Sequence, residues 1–317
     1  MTSIDSPSPP RSSSPLAATA RRHLIGTDEL AALLADADRA PGTGGVLVVD
    51  ATVLQVAGFD GHPAYVTGHE QYLVNGHVPG AVFADLLEEF SDAASPFPFT
   101  RPTAEQFALA AATLGVDAQT SVVIYDDAVG QWASRLWWLF RSFGHDDVAV
   151  LDGGLRKWAA EKRPLEIGHV APSASQGFEA STRHGFWADK DRVDRALAGH
   201  EPATLLCGLP PREFTGETGH RPRLGHIPGS LSAPASRLVD RQTNAFLDDD
   251  ALRALLSDAV TSPAPVVTYC AGGVAAAADA LALALLGRDD VALYDGSLNE
   301  WAADETRPLV VIATNAD

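Results

Sequence analysis

The chain repeats itself, and the repeat limits its possible folds more than any other feature. GHVPGA at Gly76 returns as GHIPGS at Gly225, VVIYD ending at Asp126 returns as VVTYC ending at Cys270, and VAVLDGGLRKWAA returns as VALYDGSLNEWAA. The run ATLLCGL, Ala203 to Leu209, answers VLVVDAT in the first half. Corresponding residues lie 149 apart at Gly76 and Gly225, 144 at Asp126 and Cys270, and 143 at both Asp152/Asp295 and Trp158/Trp301. So small a drift means one duplicated unit with insertions confined to loops, and two copies make a tandem pair rather than a solenoid.

Each copy alternates short β-branched runs with helical stretches of ten to fifteen residues, the pattern of an α/β unit with a parallel sheet. In the first copy TDELAALLADADRA is a helix capped by Thr27, and VLVVDATV, Val46 to Val53, is a strand. A Gly- and His-containing loop leads to GHVPGA. A helix from about Ala104, a strand ending near Asp126, an aromatic-rich helix ending at Gly144 and a helix starting near Leu155 follow. The expected divisions are a disordered Ser-, Pro- and Ala-rich tail over 1–22, a first domain over 23–165, a linker over 166–182 and a second domain over 183–317.

The copies differ at one junction where chemistry can sit. Val266 to Tyr269 reads as a buried strand and Ala275 to Leu286, closed by Gly287, as a helix, with Cys270, Ala271, Gly272, Gly273 and Val274 between them. Such a junction aims loop amides and the positive end of the helix dipole at its mouth, the setting in which thiols ionise and act as nucleophiles. The first-half counterpart of Cys270 is Asp126, whose loop DDAVGQWASR lacks the glycine pair. A buried structural cysteine is the alternative, but it needs no glycine-rich loop beside it.

Composition removes several classes of function. With 23 Lys plus Arg against 41 Asp plus Glu, the net charge of -18 opposes binding to nucleic acid or to an anionic membrane surface. Cys207 and Cys270, the only cysteines, are too few for a disulfide framework or a cysteine-based zinc site, and a reduced, cytoplasmic setting is expected. Arg21 and Arg22 resemble a twin-arginine signal, but the acidic stretch after them has no apolar core, so export is not expected. The longest apolar run is interrupted by Asp279.

Taken in order, GHVPGA, SPFPFTRPTAEQFA, WWLFRSFGHDDVAVLDGGLRKW, GHIPGS, CAGGVAA and YDGSLNEW resemble the tandem-domain rhodanese-like sulfurtransferases, the group that holds thiosulfate and 3-mercaptopyruvate sulfurtransferases. The resemblance runs from His23 to Pro308. It implies two rhodanese-like domains, each a parallel sheet flanked by helices, with only the second catalytic and the site near the domain interface. It also implies that Cys270 takes a sulfane sulfur from a small anionic donor as a persulfide and passes it to cyanide or a thiol. The backbone amides of Ala271, Gly272, Gly273, Val274 and Ala275 would stabilise the anionic sulfur, and no metal or organic cofactor is implied. In thiosulfate enzymes of the family Arg and Lys typically follow the cysteine, and in mercaptopyruvate enzymes Gly and then Ser or Thr. Ala271 and Gly272 carry no charge, which favours 3-mercaptopyruvate over thiosulfate, but Gly272 lacks the hydroxyl.

The family's substrate arginines precede GHIPG. Here Cys207 stands where an Asp is expected and Leu209 where an Arg is common, leaving Arg212, Arg221 and Arg223 as substrate-binding candidates, each of which could equally be an ordinary surface arginine. His77 is a further candidate, although its recurrence as His226 favours a turn-stabilising role in each copy. Cys207, within a strand, is expected to be buried and inert rather than a resolving thiol. Asp295 and Ser297 are expected to form a turn, and Trp137, Trp138, Trp158 and Trp301 to pack in the core. Two rivals remain. A Cys-x5-Arg phosphatase fails because Ala276, not an arginine, stands six residues after Cys270. A non-turnover persulfide carrier or binding module fits the missing arginines but not the intact cysteine loop.

Overall fold

The computed structural model describes residues 14–18, 21, 23–35, 46–58, 63–173 and 175–312. The first domain runs through β1 (Leu24–Ile25), α1 (Thr27–Ala35), β2 (Val46–Asp50), β3 (Val53–Ala57), β4 (Pro63–Thr67), α2 (His69–Asn75), β5 (Val82–Phe83), α3 (Ala104–Thr113), β6 (Ser121–Tyr125), α4 (Gln131–Ser142), β7 (Val148–Leu151) and α5 (Gly154–Ala160). The second follows with β8 (Trp187–Ala188), α6 (Lys190–Leu197), β9 (Thr204–Cys207), α7 (Pro211–Phe214), β10 (Leu231–Ser232), α8 (Asp249–Leu255), α9 (Ser257–Thr261), β11 (Val266–Tyr269), α10 (Ala275–Leu285), β12 (Val291–Tyr294) and α11 (Ser297–Ala303).

Two sheets of five parallel strands result, ordered β1-β7-β6-β2-β5 and β8-β12-β11-β9-β10, which is one topology twice. The central strands SVVIY and VVTY are buried along their whole length, as strands covered by helices on both faces must be. The duplication extends to single hydrogen bonds. Tyr125 Oη accepts from Val78 N at 3.2 Å and Tyr269 Oη from Ile227 N at 3.0 Å. Trp158 Nε1 donates to Pro164 O at 2.8 Å and Trp301 Nε1 to Pro308 O at 2.9 Å. Gly76 and Gly225 share a φ of 102°, in a region only glycine enters freely. The domains meet where α4 packs on α10, and one apolar core runs through the contact.

Three segments differ from the sequence expectation. The strand expected over Val46 to Val53 ends at Asp50, and a second strand leaves it as the antiparallel hairpin β3–β4, where only a loop was expected. Its exposed residues give no clean alternation, and Gly and Pro near its turn hide it. The second copy has no counterpart among the described residues, and the hairpin lengthens the first copy upstream of Gly76. Most of the tail expected over 1–22 lies outside the described residues, but Pro15–Ala18 form a single 3-10 turn, Leu16 is buried and Ser14 Oγ donates to Asp147 at 2.5 Å. The expected linker is irregular but fastened to the first domain, with Gly168 N on Leu73 O at 2.9 Å and Ser181 N on Phe143 O at 3.1 Å.

Candidate active site

The β11–α10 junction places Cys270 at the carboxyl end of a central strand and at the amino end of an eleven-residue helix, 2% exposed. Gly273, at φ +78°, makes the turn between them. The start of α11 holds the loop from beneath. Leu298 N donates to Cys270 O at 3.1 Å and Asn299 N to Ala271 O at 2.9 Å, while Cys270 N donates to Ser297 Oγ at 3.2 Å. Ser297 donates onward to Tyr294 O at 2.8 Å and sits at φ +48°, an unusual conformation for a serine and the kind of local strain found at working sites.

The first-domain copy of this junction shows what the loop amides can do. Asp126 is fully buried beneath its own loop, where Oδ1 accepts from Ala128 N at 2.8 Å and Gly130 N at 3.1 Å, and Oδ2 from Trp132 N and Ala133 N, both at 2.9 Å. Burial pushes its carboxyl up and the four amides pull against that. A strand-to-helix loop here encloses an anion at the tip of its first side chain. In the second copy no side chain among the described residues accepts from the amides of Gly272, Val274 or Ala276, which stand 144 residues after Ala128, Gly130 and Trp132. The two loops are not superimposable in detail: the left-handed residue is Gly130 in one and Gly273, a position earlier in register, in the other.

Each domain caps the other's loop. From the first domain, Phe99 at φ +63° lies over the cysteine loop, so that a methyl group on Gly272 would stand 3.4 Å from Pro98 O and 3.9 Å from the Phe99 ring. Arg101 N donates to Asp295 Oδ2 at 2.9 Å. From the second domain, Asn244 at φ +61° donates through Nδ2 to Ala128 O at 2.6 Å, and Phe246 N donates to Asp152 Oδ1 at 2.7 Å. The first domain also sends in Arg135, considered below, and Tyr65. The Tyr65 ring, 37% exposed on the hairpin, meets Phe99 edge-on at 5.1 Å and Trp132 at 5.8 Å. Burial pushes its phenol up, Cys270 and Glu213 push the same way, and Arg221 opposes them, so these groups share one electrostatic neighbourhood.

The candidate residues separate accordingly. Cys270, Ala271, Gly272, Gly273, Val274 and Ala275 form the loop, as expected. Of the arginines, Arg221 is 10% exposed, pairs with Glu213 at 3.0 Å and is the one whose charge is felt at Tyr65. Arg212 is 68% exposed and pairs with Glu217 at 2.7 Å. Arg223 donates to the carbonyls of Asp304, at 2.7 Å, and Arg307. His77 is buried, stacked on Tyr72 at 3.9 Å with Nδ1 3.0 Å from Tyr72 O, and His226 repeats this on Phe214 at 3.8 Å and 2.8 Å. Among the described residues no hydrogen bond or ion pair of Arg212, Arg221, Arg223 or His77 reaches the loop. Cys207 is in register with Tyr269 on the neighbouring strand, and burial pushes its thiol up to about 12.

Sequence reasoning missed Tyr65, Arg135, Asn299 and the contact from Ser297. The first two come from the other domain, so no local pattern could flag them. Asn299 Nδ2 would stand 3.0 Å from a methyl group on Gly272, filling the space a side chain there would take. Among the described residues no cluster of three or more His, Cys, Asp or Glu could hold a metal ion, and no helix is long and apolar enough to cross a membrane.

The chain is similar to known proteins in sequence and in fold. A family model described as Rhodanese-like domain matches residues 35–161 and 210–304. The 3-mercaptopyruvate sulfurtransferase of Escherichia coli K12 is 37% identical over 244 residues, covering 76% of this chain and 85% of the relative. The human 3-mercaptopyruvate sulfurtransferase is 36% identical over 231 residues, covering 71% and 76%. The chicken thiosulfate sulfurtransferase is 34% identical over 238 residues, covering 71% and 78%. The crystal structure of SseA from Escherichia coli aligns with a TM-score of 0.73 at 33% identity, over 87% of this chain and 98% of that one.

Proposed function

The chain belongs to the rhodanese-like domain family and is a sulfurtransferase, and from that premise we propose that Cys270 carries the transferred sulfur as a persulfide. The Cys270 thiolate attacks the donor's outer sulfur. The new S–S bond forms as the donor's bond to that sulfur breaks, and the electron pair leaves with the donor remnant. An acceptor thiolate or cyanide then takes the outer sulfur and returns Cys270 as thiolate. The observation that carries this is Asp126: the first copy of the loop gathers four amide donors around an anion on the residue equivalent to Cys270. Preorganised donors of this kind stabilise the attacking thiolate, the persulfide anion and the transition state between them.

The donor we infer is small and singly charged, 3-mercaptopyruvate ahead of thiosulfate. A dianion entering a protein of net charge -18 needs local cations. The loop has none, Arg212 is spent at the surface and Arg223 on carbonyls, and the remaining Arg221 is paired with Glu213. One carboxylate matches one such arginine. Free Cys207 and Cys270 are consistent with a reduced, cytoplasmic setting.

The test compares steady turnover of 3-mercaptopyruvate and thiosulfate, with cyanide or a thiol as acceptor, in wild type and Cys270→Ser. Wild type should favour 3-mercaptopyruvate, and Cys270→Ser should lose at least about a thousandfold with either donor. Unchanged turnover in Cys270→Ser removes the mechanism, whereas a preference for thiosulfate removes only the donor assignment.

A further inference from the structure

Arg135 lies on α4 of the domain that has no catalytic cysteine, yet it is 2% exposed and its guanidinium serves the other domain. Nη2 donates to Phe99 O at 2.6 Å, the residue that caps the Cys270 loop, and to Asp295 Oδ1 at 2.7 Å, in the turn before α11 that holds the loop from beneath. Arg101 N binds the other oxygen of the same carboxylate. The guanidinium carbon stands 5.1 Å from the centroid of the Trp187 ring, over its face. Nη1 is buried without a hydrogen-bond partner and lies 3.2 Å from where a methyl group on Gly273 would stand. Gly273 is the left-handed residue on which the loop turns.

The duplication argues that this arginine is more than inherited packing. The equivalent position in the second copy, 144 residues on, is Asp279, on the facing helix α10. The unit therefore folds without an arginine at this place, and the one it has in the first copy is directed at the second domain's loop.

We propose that Arg135 is a positioning residue for the Cys270 loop, so that the domain without the nucleophile sets the reactivity of the nucleophile in the other. The guanidinium ties the cap to the supporting turn and fills the space beside the loop turn, three pieces that come from both domains. Without it Asp295 loses its ion-pair partner and keeps only Arg101 N, Phe99 O loses its donor, and Gly273 faces a void into which the loop can shift. Displacement of the reacting sulfur by even about 1 Å costs on the order of a hundredfold in rate.

The test uses the full chain with Arg135→Met and Arg135→Lys and reads kcat and KM for the donor, the thermal midpoint, and the rate at which the neutral reagent iodoacetamide alkylates Cys270 at fixed pH. The alkylation uses no donor, so it remains informative even where the persulfide assignment on which this inference rests fails. Arg135→Met should lower kcat about a hundredfold with KM changed less than about threefold, and should slow alkylation about tenfold. Arg135→Lys, which keeps a buried donor and charge, should recover most of both. A merely structural arginine would lower the thermal midpoint and leave kcat and alkylation per folded molecule unchanged in both variants, and that result overturns the proposal. Where Arg135→Met does not fold, Asp295→Asn decides, because it weakens the same tie without emptying the site. It should lower kcat and alkylation about tenfold, and values within twofold of wild type count equally against the proposal.

Discussion

Asp126 and Cys270 stand at the same strand-to-helix junction of two copies of one fold, and the difference between them separates structure from chemistry. The first junction is closed by its own side chain, whose carboxylate takes four amides. The second has a shorter, softer side chain and a glycine pair, and its loop is held from behind by Ser297, Leu298 and Asn299. Gly154, the first-copy counterpart of Ser297, lets the Asp126 carbonyl close in so tightly that a side chain there could not fit. The serine in the second copy instead spaces the loop and binds its first amide. A loop closed by its own side chain has thus been paired with one in which no side chain among the described residues accepts from the amides of Gly272, Val274 or Ala276, and each domain caps the loop of the other.

The comparison can be broken most easily at Asp126. Asp126→Ala leaves four amides without their acceptor in a dry interior and should destabilise the protein by about 3–5 kcal/mol in denaturant titration. Cys270→Ala should cost about 1 kcal/mol or less. Similar costs at the two positions would mean that the loops are not divided in this way. A second contrast lies one strand over, where Asp50 in β2 corresponds to Cys207 in β9: Ala84 N binds Asp50 O and Ala233 N binds Cys207 O, both at 2.8 Å. Burial is the main cause that raises the Asp50 carboxyl to about 6 from 3.8. The folded state therefore holds this proton more tightly than the unfolded chain does. The stability it contributes is complete below about pH 4 and is lost as pH rises through about 6, a span worth at most about 3 kcal/mol. Asp50→Asn should remove that part of the decline, whereas Cys207, at about 12, does not titrate there. An unaltered pH profile in Asp50→Asn would contradict the assignment.

Smaller effects sharpen the view of the second site. Arg221→Ala should raise the donor KM about tenfold and Arg212→Ala by less than twofold, because the first is 10% exposed with its charge felt at Tyr65 and the second is 68% exposed. The reverse order in steady-state kinetics would move the donor to the surface arginine. Gly272→Ser should change kcat by less than about threefold, since Asn299 Nδ2 and Pro98 O must give way only slightly. A large gain with 3-mercaptopyruvate would show that the missing hydroxyl, rather than donor charge, limits the loop.

The fold was legible because the duplication reports itself: VVIYD and VVTYC, and the two GH[VI]PG turns, place both sheets and the strand-to-helix loop that carries Cys270. The hairpin β3–β4 was not, because a two-stranded excursion with mostly exposed faces leaves no alternation to read. The site was half legible. Cys270 and its loop are continuous in sequence, whereas Phe99, Arg135 and Tyr65 reach it from 171, 135 and 205 residues upstream through the interface of α4 and α10. The three candidate arginines look alike in GHRPRLGHIPGS and its approach, and only burial and partners tell Arg221 from Arg212 and Arg223.

The central claim is that the open junction holds sulfur where the closed one holds a carboxylate. Its most direct test is the intact mass of the protein after brief exposure to 3-mercaptopyruvate without acceptor, followed by mapping of the modified peptide. The account predicts a gain of one sulfur atom, carried on Cys270, absent in Cys270→Ser and removed by cyanide. A sulfur found on Cys207, or no mass gain in a protein that still turns over, would contradict it.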